Sequence, residues 1–420
     1  MDWTGLARAR LAKRSPRYGT DVKTPAGPLL GRNPFTRLFL AQTISRWGDT
    51  FNFVALVITV HRLTGSGLKV AATVAFEIVP VLLLGFVAGV VVDRLPRAKV
   101  MVAADLGRAA VAVALALFPD NLVVIYAAAF LLSALSVFFN PAAASVVPSL
   151  VAPAALVRAN SALWSAAVIS QIAMAPLAGA VVSFGGPSTA FAFNALTFVV
   201  SAGFLVRLPI SRAEPVRGRS WHDVTEGLRL VRTTRFLAVL TLVQFLAALS
   251  AGATSALLVV LARDRLDLDA ARFGWLLSAI GIGAALGPLV LQRLVQEVRR
   301  PLLLFGPYIV RGLVDVALAT VRSFAPALAA LSVYGIGTSV GMVTYNTTLQ
   351  KNVDDRLRGR VFAFFDMVWQ SGRLLSIALG GALADAVGVE VVYLLGGALL
   401  LLAGAAGFAL VRSPHLLTEP

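Results

Sequence analysis

Twelve long apolar blocks, separated by short polar gaps, run through this chain. Their approximate cores are 39–60, 70–92, 100–118, 122–139, 162–184 and 188–206 in the first half. In the second half they are 236–262, 273–292, 302–321, 325–348, 361–383 and 391–411. A helix needs about 20 apolar residues to cross the hydrocarbon layer of a bilayer, and these blocks are of that order. Backbone groups in lipid must be bonded within their own segment, so the blocks read as helices rather than strands. The composition is 58% hydrophobic and 14% charged, with a mean hydropathy of +0.82. That leaves too few polar residues to coat a soluble protein of 420 residues.

Turn formers separate the blocks: Thr64-Gly65-Ser66-Gly67, Arg94-Leu95-Pro96, Pro119-Asp120-Asn121, Gly185-Gly186-Pro187 and Arg299-Arg300-Pro301. The net charge of +16 and pI near 11.2 do not point to nucleic acid, because the basic residues sit in these gaps. Most of the 37 Lys and Arg residues fall on one side of an alternating twelve-span layout, which predicts that both termini are cytoplasmic. The chain has no cysteine, so disulfides, thiolate chemistry and cysteine-held metal are excluded. Its three histidines, His61, His222 and His415, all lie outside the deep parts of the blocks. There is no P-loop signature and no His-Glu-x-x-His, so neither ATP drive within the chain nor an intramembrane enzyme is expected, and no cofactor is implied.

The expected layout is a basic cytoplasmic tail over 1–33, a six-helix bundle over 34–206, a linker over 207–235, a second bundle over 236–411 and a tail over 412–420. Within the linker, Trp221 to Val231 has the pattern of an amphipathic surface helix. The halves match at a constant spacing: Gln42 with Gln244, Arg158 with Arg360 and Gly179 with Gly381 are all 202 apart, and Arg108 with Arg311 is 203. A shared offset at equivalent places argues for duplication, a common way to build carriers around a central site.

Ionisable residues within apolar spans are costly and draw attention. They are Arg46 and Asp49 in span 1, Glu77 in span 2, Asp105 and Arg108 in span 3, Arg311 and Asp315 in span 9, and Asp366 and Arg373 in span 11. Most share a helical face with an opposite charge, so pairing on one helix is the plain expectation. Glu77 has no such partner. A carboxyl deprived of water can exchange a proton near neutral pH, so Glu77 and Asp49 are the expected proton carriers. Gln42, Asn140, Gln171, Gln244, Asn346 and Gln370 supply candidate cavity polarity. Trp47, Phe51, Trp164, Tyr345 and Trp369 supply candidate stacking surfaces. The glycine pairs Gly85/Gly89, Gly283/Gly287 and Gly337/Gly341 are spaced to let helices approach.

The segment Gly89-Val-Val-Val-Asp93-Arg94-Leu-Pro96-Arg97-Ala98-Lys99 resembles the loop signature between spans 2 and 3 of the major facilitator superfamily. Gly89, Asp93, Arg94, Arg97 and Lys99 fit it, whereas Pro96 and Ala98 depart from it. Three further segments resemble the drug-efflux branch that contains macrolide and enterobactin exporters. They are Gln42-Thr-Ile-Ser-Arg46-Trp47-Gly48-Asp49, Phe138-Phe139-Asn140-Pro141-Ala142 and Leu357-Arg358-Gly359-Arg360-Val361. The resemblance implies an all-α membrane protein with twelve transmembrane helices in two pseudo-symmetric six-helix bundles. It also implies a conformational latch, in which Asp93 faces Arg358 and Arg360 at the start of span 11. In this superfamily spans 1, 4, 7 and 10 line the cavity and spans 2, 5, 8 and 11 flank it. The expected cavity residues are therefore Arg46, Asp49, Glu77, Asp366, Arg373, Gln42, Gln244 and Asn346, whereas Asp105/Arg108 and Arg311/Asp315 are expected to be structural.

The implied function is proton-coupled export of a small amphiphilic molecule by alternating access. The implied setting is the bacterial inner membrane, with the chain working as a monomer. A lipid or nutrient carrier of the same fold, and a non-transporting membrane sensor, are the alternatives.

Overall fold

The computed structural model describes residues 29–31, 33–208, 234–294, 301–353 and 355–411, without the side chains of Phe86, Asp93, Leu294, Asp355, Arg356 and Arg358. Most of the basic tail, the surface helix expected at 221–231 and the C-terminal tail lie outside the described residues.

The described chain is helical and contains no strand. In order the long helices are α1 (Pro34–Thr64), α2 (Gly67–Arg94), α3 (Arg97–Leu117), α4 (Leu122–Leu150), α5 and α6, α7 (Arg235–Ala256), α8 (Ala270–Leu294), α9 (Pro301–Thr320), α10 (Phe324–Asn352), α11 (Asp355–Val387) and α12 (Val389–Leu410). The helical run Leu156–Val206 breaks at Gly186 (φ 75°, ψ 172°), which divides it into α5 (156–185) and α6 (187–206). Among the described residues, nine helical segments, with α5 and α6 taken together, are long and apolar enough to cross a membrane. The two long helices outside that set, α1 and α11, carry the charged residues singled out above.

The punctuation acts as its residues dictate. Gly65 ends α1 in the left-handed region (φ 60°), with its N–H on the His61 carbonyl at 2.8 Å. Ser66 then caps α2. Asn121 caps α4, its Oδ1 accepting from Val123 N at 3.0 Å and Val124 N at 3.3 Å. Beyond α7 the chain continues through Leu258–Val260 into a π-helical turn, Leu261–Arg265, before α8 begins.

The packing shows how the halves relate. Besides the contacts inside each half, α2 packs on α11 and α5 on α8. Both crossings lie toward the end that carries the turns 65–66, 186 and 388. There, a single apolar core runs through both halves, from Phe51, Val70, Ala178 and Phe191 to Leu257, Phe273, Ile377 and Tyr393. Toward the other end the core divides. One cluster, around Phe35, Met101, Phe139 and Leu205, belongs to the first half. Another, around Leu240, Phe305, Val361 and Leu400, belongs to the second. The molecule is thus sealed at one end and parted at the other, the parted end being where α1 begins and α12 finishes. Large apolar side chains such as Leu83, Phe184, Leu196, Leu313, Leu379 and Leu402 stay exposed, a distribution suited to a lipid surround.

The duplicated glycines sit at the two seals. A Cβ on Gly179 would run into the Ala270 carbonyl of α8, and one on Gly381 would lie 2.7 Å from Ala71 Cβ of α2. Gly283/Gly287 and Gly337/Gly341 are close-contact positions as expected, against α10 and α9 respectively. Gly85 and Gly89 are not: no heavy atom would stand within 4 Å of a Cβ at either. They lie toward the parted end of α2, on a side that meets no neighbour within that distance.

Candidate functional site

Helix α1 is held by Gly48, whose missing side chain lets the backbone press on α6: a Cβ there would stand 3.1 Å from Asn194 Cα. Arg46 and Asp49 point away from that contact, and both are exposed in the middle of a span. Glu77 on α2 and Arg373 on α11 are half-buried. Glu77 lies within electrostatic reach of Asp49 from its own half and of Arg373 from the other. Through Glu77 these three groups, from α1, α2 and α11, form a charged set drawn from both halves. Two carboxyls and a guanidinium within electrostatic reach of one another can trade a bound proton for an ion pair, the chemistry a proton-coupled step requires.

Pairing along single helices is mostly not what the charges do. Of the four same-helix pairs, only Asp105 and Arg108 form a direct ion pair among the described residues. Ser201 Oγ donates to Asp105 at 2.6 Å, and the Arg108 guanidinium sits 4.4 Å from the ring centroids of both Phe139 and Phe198. That arrangement closes the pair into the α3–α4–α6 core. Arg311 turns instead to α10, donating to Tyr334 Oη at 2.9 Å and lying 4.8 Å from its ring centroid. Asp315 accepts from Ser250 of α7 at 3.3 Å. Arg373 donates to Gln370 at 3.4 Å, and Asp366 stands exposed without an ion pair. For Arg311 and Asp315, a tyrosine and a serine on neighbouring helices outcompete the partner four residues away.

The other expected cavity groups divide. Gln42 and Asn346 are half-buried, and Asn140 and Gln171 are exposed. Gln244 is held by the Tyr308 hydroxyl at 2.9 Å. Phe51 and Tyr345 are not free stacking surfaces. Phe51 is buried with its ring centroid 4.3 Å from that of Phe193, and Tyr345 meets Phe365 edge-on at 5.7 Å. Trp164 is exposed, and Trp369 is half-buried against the second-half core. Trp47 is fixed by a bond from its Nε1 to Ser170 Oγ at 3.0 Å. It borders a cavity of 360 Å³ between α1 and α5, with Phe39, Thr43, Ala162, Ala166 and Ile169 among its walls.

Of the expected latch, Arg94 and Lys99 are exposed and Arg360 is half-buried. Arg97 is instead a bracket within the first half: it is buried and donates to the Ser145 carbonyl of α4 at 3.1 Å. The side chains of Asp93 and Arg358 lie outside the described residues.

Among the contacts between the halves that spacing does not reveal are two made by carboxylates, His61 Nε2 to Asp264 Oδ1 at 2.7 Å and Asp385 to the start of α2. Both involve acids within a turn of a helix end, the signal that could have raised them.

Residues 24–417 match the family described as transmembrane secretion effector. The chain belongs to that family. It is a major facilitator superfamily protein of the drug-efflux branch. Among its relatives is BacE of Bacillus amyloliquefaciens, which carries a provisional designation as a bacilysin exporter. It is 27% identical, with 84% of this chain and 89% of BacE covered. The multidrug efflux pump Tap of Mycobacterium tuberculosis is 26% identical, over 92% of this chain and 94% of Tap. Among solved structures the nucleoside transporter NupG superposes with a TM-score of 0.75, at 13% identity, covering 91% of this chain and 100% of NupG. A bacterial homologue of the iron transporter ferroportin, in an inward-facing state, superposes with a TM-score of 0.72 at 16% identity, covering 90% and 99%. The protein is therefore a multi-pass membrane transporter with efflux-pump relatives, and the enzyme class does not apply.

Proposed function

We propose that this transporter exports a small amphiphilic molecule in exchange for protons by alternating access. The observation that carries the reading is that Glu77 of α2, half-buried, lies within electrostatic reach both of Asp49 in its own half and of Arg373 in the other. A carboxyl that changes neighbours as the halves rock changes its hold on a proton, which is the linkage that antiport requires. The bundles 34–206 and 236–411 act as the rocking bodies, joined by a cytoplasmic linker over 207–235. The parted end faces the cytoplasm of a bacterial inner-membrane protein with both termini inside, in keeping with the basic residues of the tail and linker. The chain works as a monomer.

The cavity beside Trp47 supports the substrate class. Its walls are almost wholly apolar, yet it shares a stretch of α1 with Arg46 and Asp49. An amphiphile can bury its apolar part there and keep a polar group at the charged cluster. The efflux relatives Tap and BacE favour outward traffic.

The test uses purified protein in proteoliposomes with an imposed pH gradient and a fluorescent amphiphilic dye. Glu77→Gln and Asp49→Asn are expected to abolish gradient-driven uptake into inside-out vesicles while leaving dye binding measurable. Full gradient-driven transport by both variants would reject proton coupling through this cluster.

A further inference from the structure

At the sealed end, Asp385 stands two residues before α11 stops and reaches across to the other half. Its Oδ1 accepts from Gly67 N at 2.5 Å. Its Oδ2 accepts from Ser66 Oγ at 2.6 Å and Leu68 N at 3.3 Å. Ser66 is itself the N-cap of α2, accepting from Lys69 N at 3.3 Å. One carboxylate from the second half therefore completes the capping of a first-half helix, where N–H groups lack intrahelical partners and the helix dipole is positive.

The approach depends on glycine on both sides. A Cβ at Gly67 would stand 3.0 Å from Ala384 Cβ, and one at Gly381 would stand 2.9 Å from Leu68 Cα. The matched crossing of α5 on α8 has the same glycine, Gly179, but the counterpart of Asp385 at the 202-residue offset is Ser183. Of the two pseudo-equivalent seals, only α2–α11 is held by a charge. The groups around Asp385 are Asp264 and Arg265 after α7 and Glu390 at the start of α12, which line one small pocket with it. His61 of α1 contacts Asp264, Arg265 pairs with Glu390 at 2.9 Å, and Lys69 lies in the first turn of α2.

We propose that Asp385 is the latch of the sealed end, a cap that the second half lends to α2 and withdraws when the carrier opens on that side. The proposal rests on the alternating-access reading. Closing the sealed end and capping α2 are then one equilibrium. Neutralising the carboxylate removes one acceptor and puts a donor against Ser66 and Leu68, and so favours the state open at this end.

The chain has no cysteine, so introduced labels are unique. Spin labels on Val123→Cys and Arg322→Cys report the sealed end, and labels on Arg158→Cys and Lys351→Cys report the parted end. All four sites are exposed, and each pair joins opposite halves. Electron–electron distance distributions in nanodiscs are then compared for the parent, Asp385→Asn, Asp385→Glu and Gly381→Val. By analogy with the loss of a helix cap, Asp385→Asn should raise the ratio of outward-open to sealed molecules by about five- to tenfold. Asp385→Glu, which keeps the charge, should shift it less. If Gly381→Val shifts the distances and Asp385→Asn does not, the latch is wrong and alternating access stands. If neither variant moves either pair, both fail. Should Asp385→Asn not yield folded protein, Ser66→Ala removes the hydroxyl donor to Oδ2: a shift in the same direction supports the latch, and none overturns it.

Discussion

One methyl group on Gly179 or Gly381 should bias the carrier away from its present state. A Cβ on Gly381 would lie 2.7 Å from Ala71 Cβ and 2.9 Å from Leu68 Cα, and one on Gly179 would lie 3.0 Å from Ala271 Cα after first meeting the Ala270 carbonyl. Carbon atoms rest at about 3.5–4.0 Å, so each crossing must widen by about 1 Å. Three of these obstacles are backbone atoms, which cannot swing aside. Overpacking of this kind costs about 1–3 kcal/mol. The strain exists only while the sealed end is closed, so it appears as about a 5- to 150-fold shift toward the open form. Helix propensity works in the other direction: alanine favours helix over glycine by about 1 kcal/mol, but equally in both states. Gly203→Ala is the control, since a Cβ there would meet nothing within 4 Å. Distance measurements between labels at 123 and 322 should show the wider population growing in Gly179→Ala and in Gly381→Ala. The effects should be close to additive in the double variant, because the crossings share no partner. Equal distributions in parent and glycine variants, or an equal shift in the control, would refute the account of the seal.

Other substitutions test other parts. Arg108→Ala strands Asp105 in the core and should lower stability by about 3–5 kcal/mol, read as a fall in the thermal unfolding midpoint in detergent. Arg311→Ala should cost less, because its bond is to a tyrosine hydroxyl and not a carboxylate; an equal fall in midpoint would contradict this. Gly89→Ala meets no neighbour in this state, so the midpoint should hold, whereas dye transport should slow if α2 must meet a partner there when the parted end closes. Ala166→Phe fills the cavity beside Trp47 and should raise the KM for a bulky dye by about tenfold, with little effect on a smaller one.

The helix order and the breaks around Gly65, Asn121 and Gly186 were legible because apolar length and turn chemistry act within a few residues. The 202-residue repeat was also legible, and Gly179 and Gly381 now have a shared task as the crossing points of the two seals. The sequence does not say which neighbour a buried charge prefers. Asp105 and Arg108 bond along their own helix, yet Arg311 selects Tyr334, 23 residues away, and Asp315 selects Ser250, 65 residues away. Such choices depend on which helix faces touch, which spacing within one helix cannot reveal. The same limit explains Phe51, whose ring is taken up by Phe193, and Arg97, which braces α4. Asp385 finds its partners on α2 at separations of 317 to 319 residues, beyond any local pattern.

Three of the links at the sealed end are short: Gly65 and Ser66 join α1 to α2, Gly186 alone turns α5 into α6, and Gly388 alone turns α11 into α12. Tethers that brief have no slack to absorb a swing. Helices joined by them must travel as stiff pairs, like the two legs of a staple, and any tilt of one is imposed on its mate. A peptide tag spliced at residue 186 would uncouple such a pair, whereas the same tag within 209–233 would leave every staple whole.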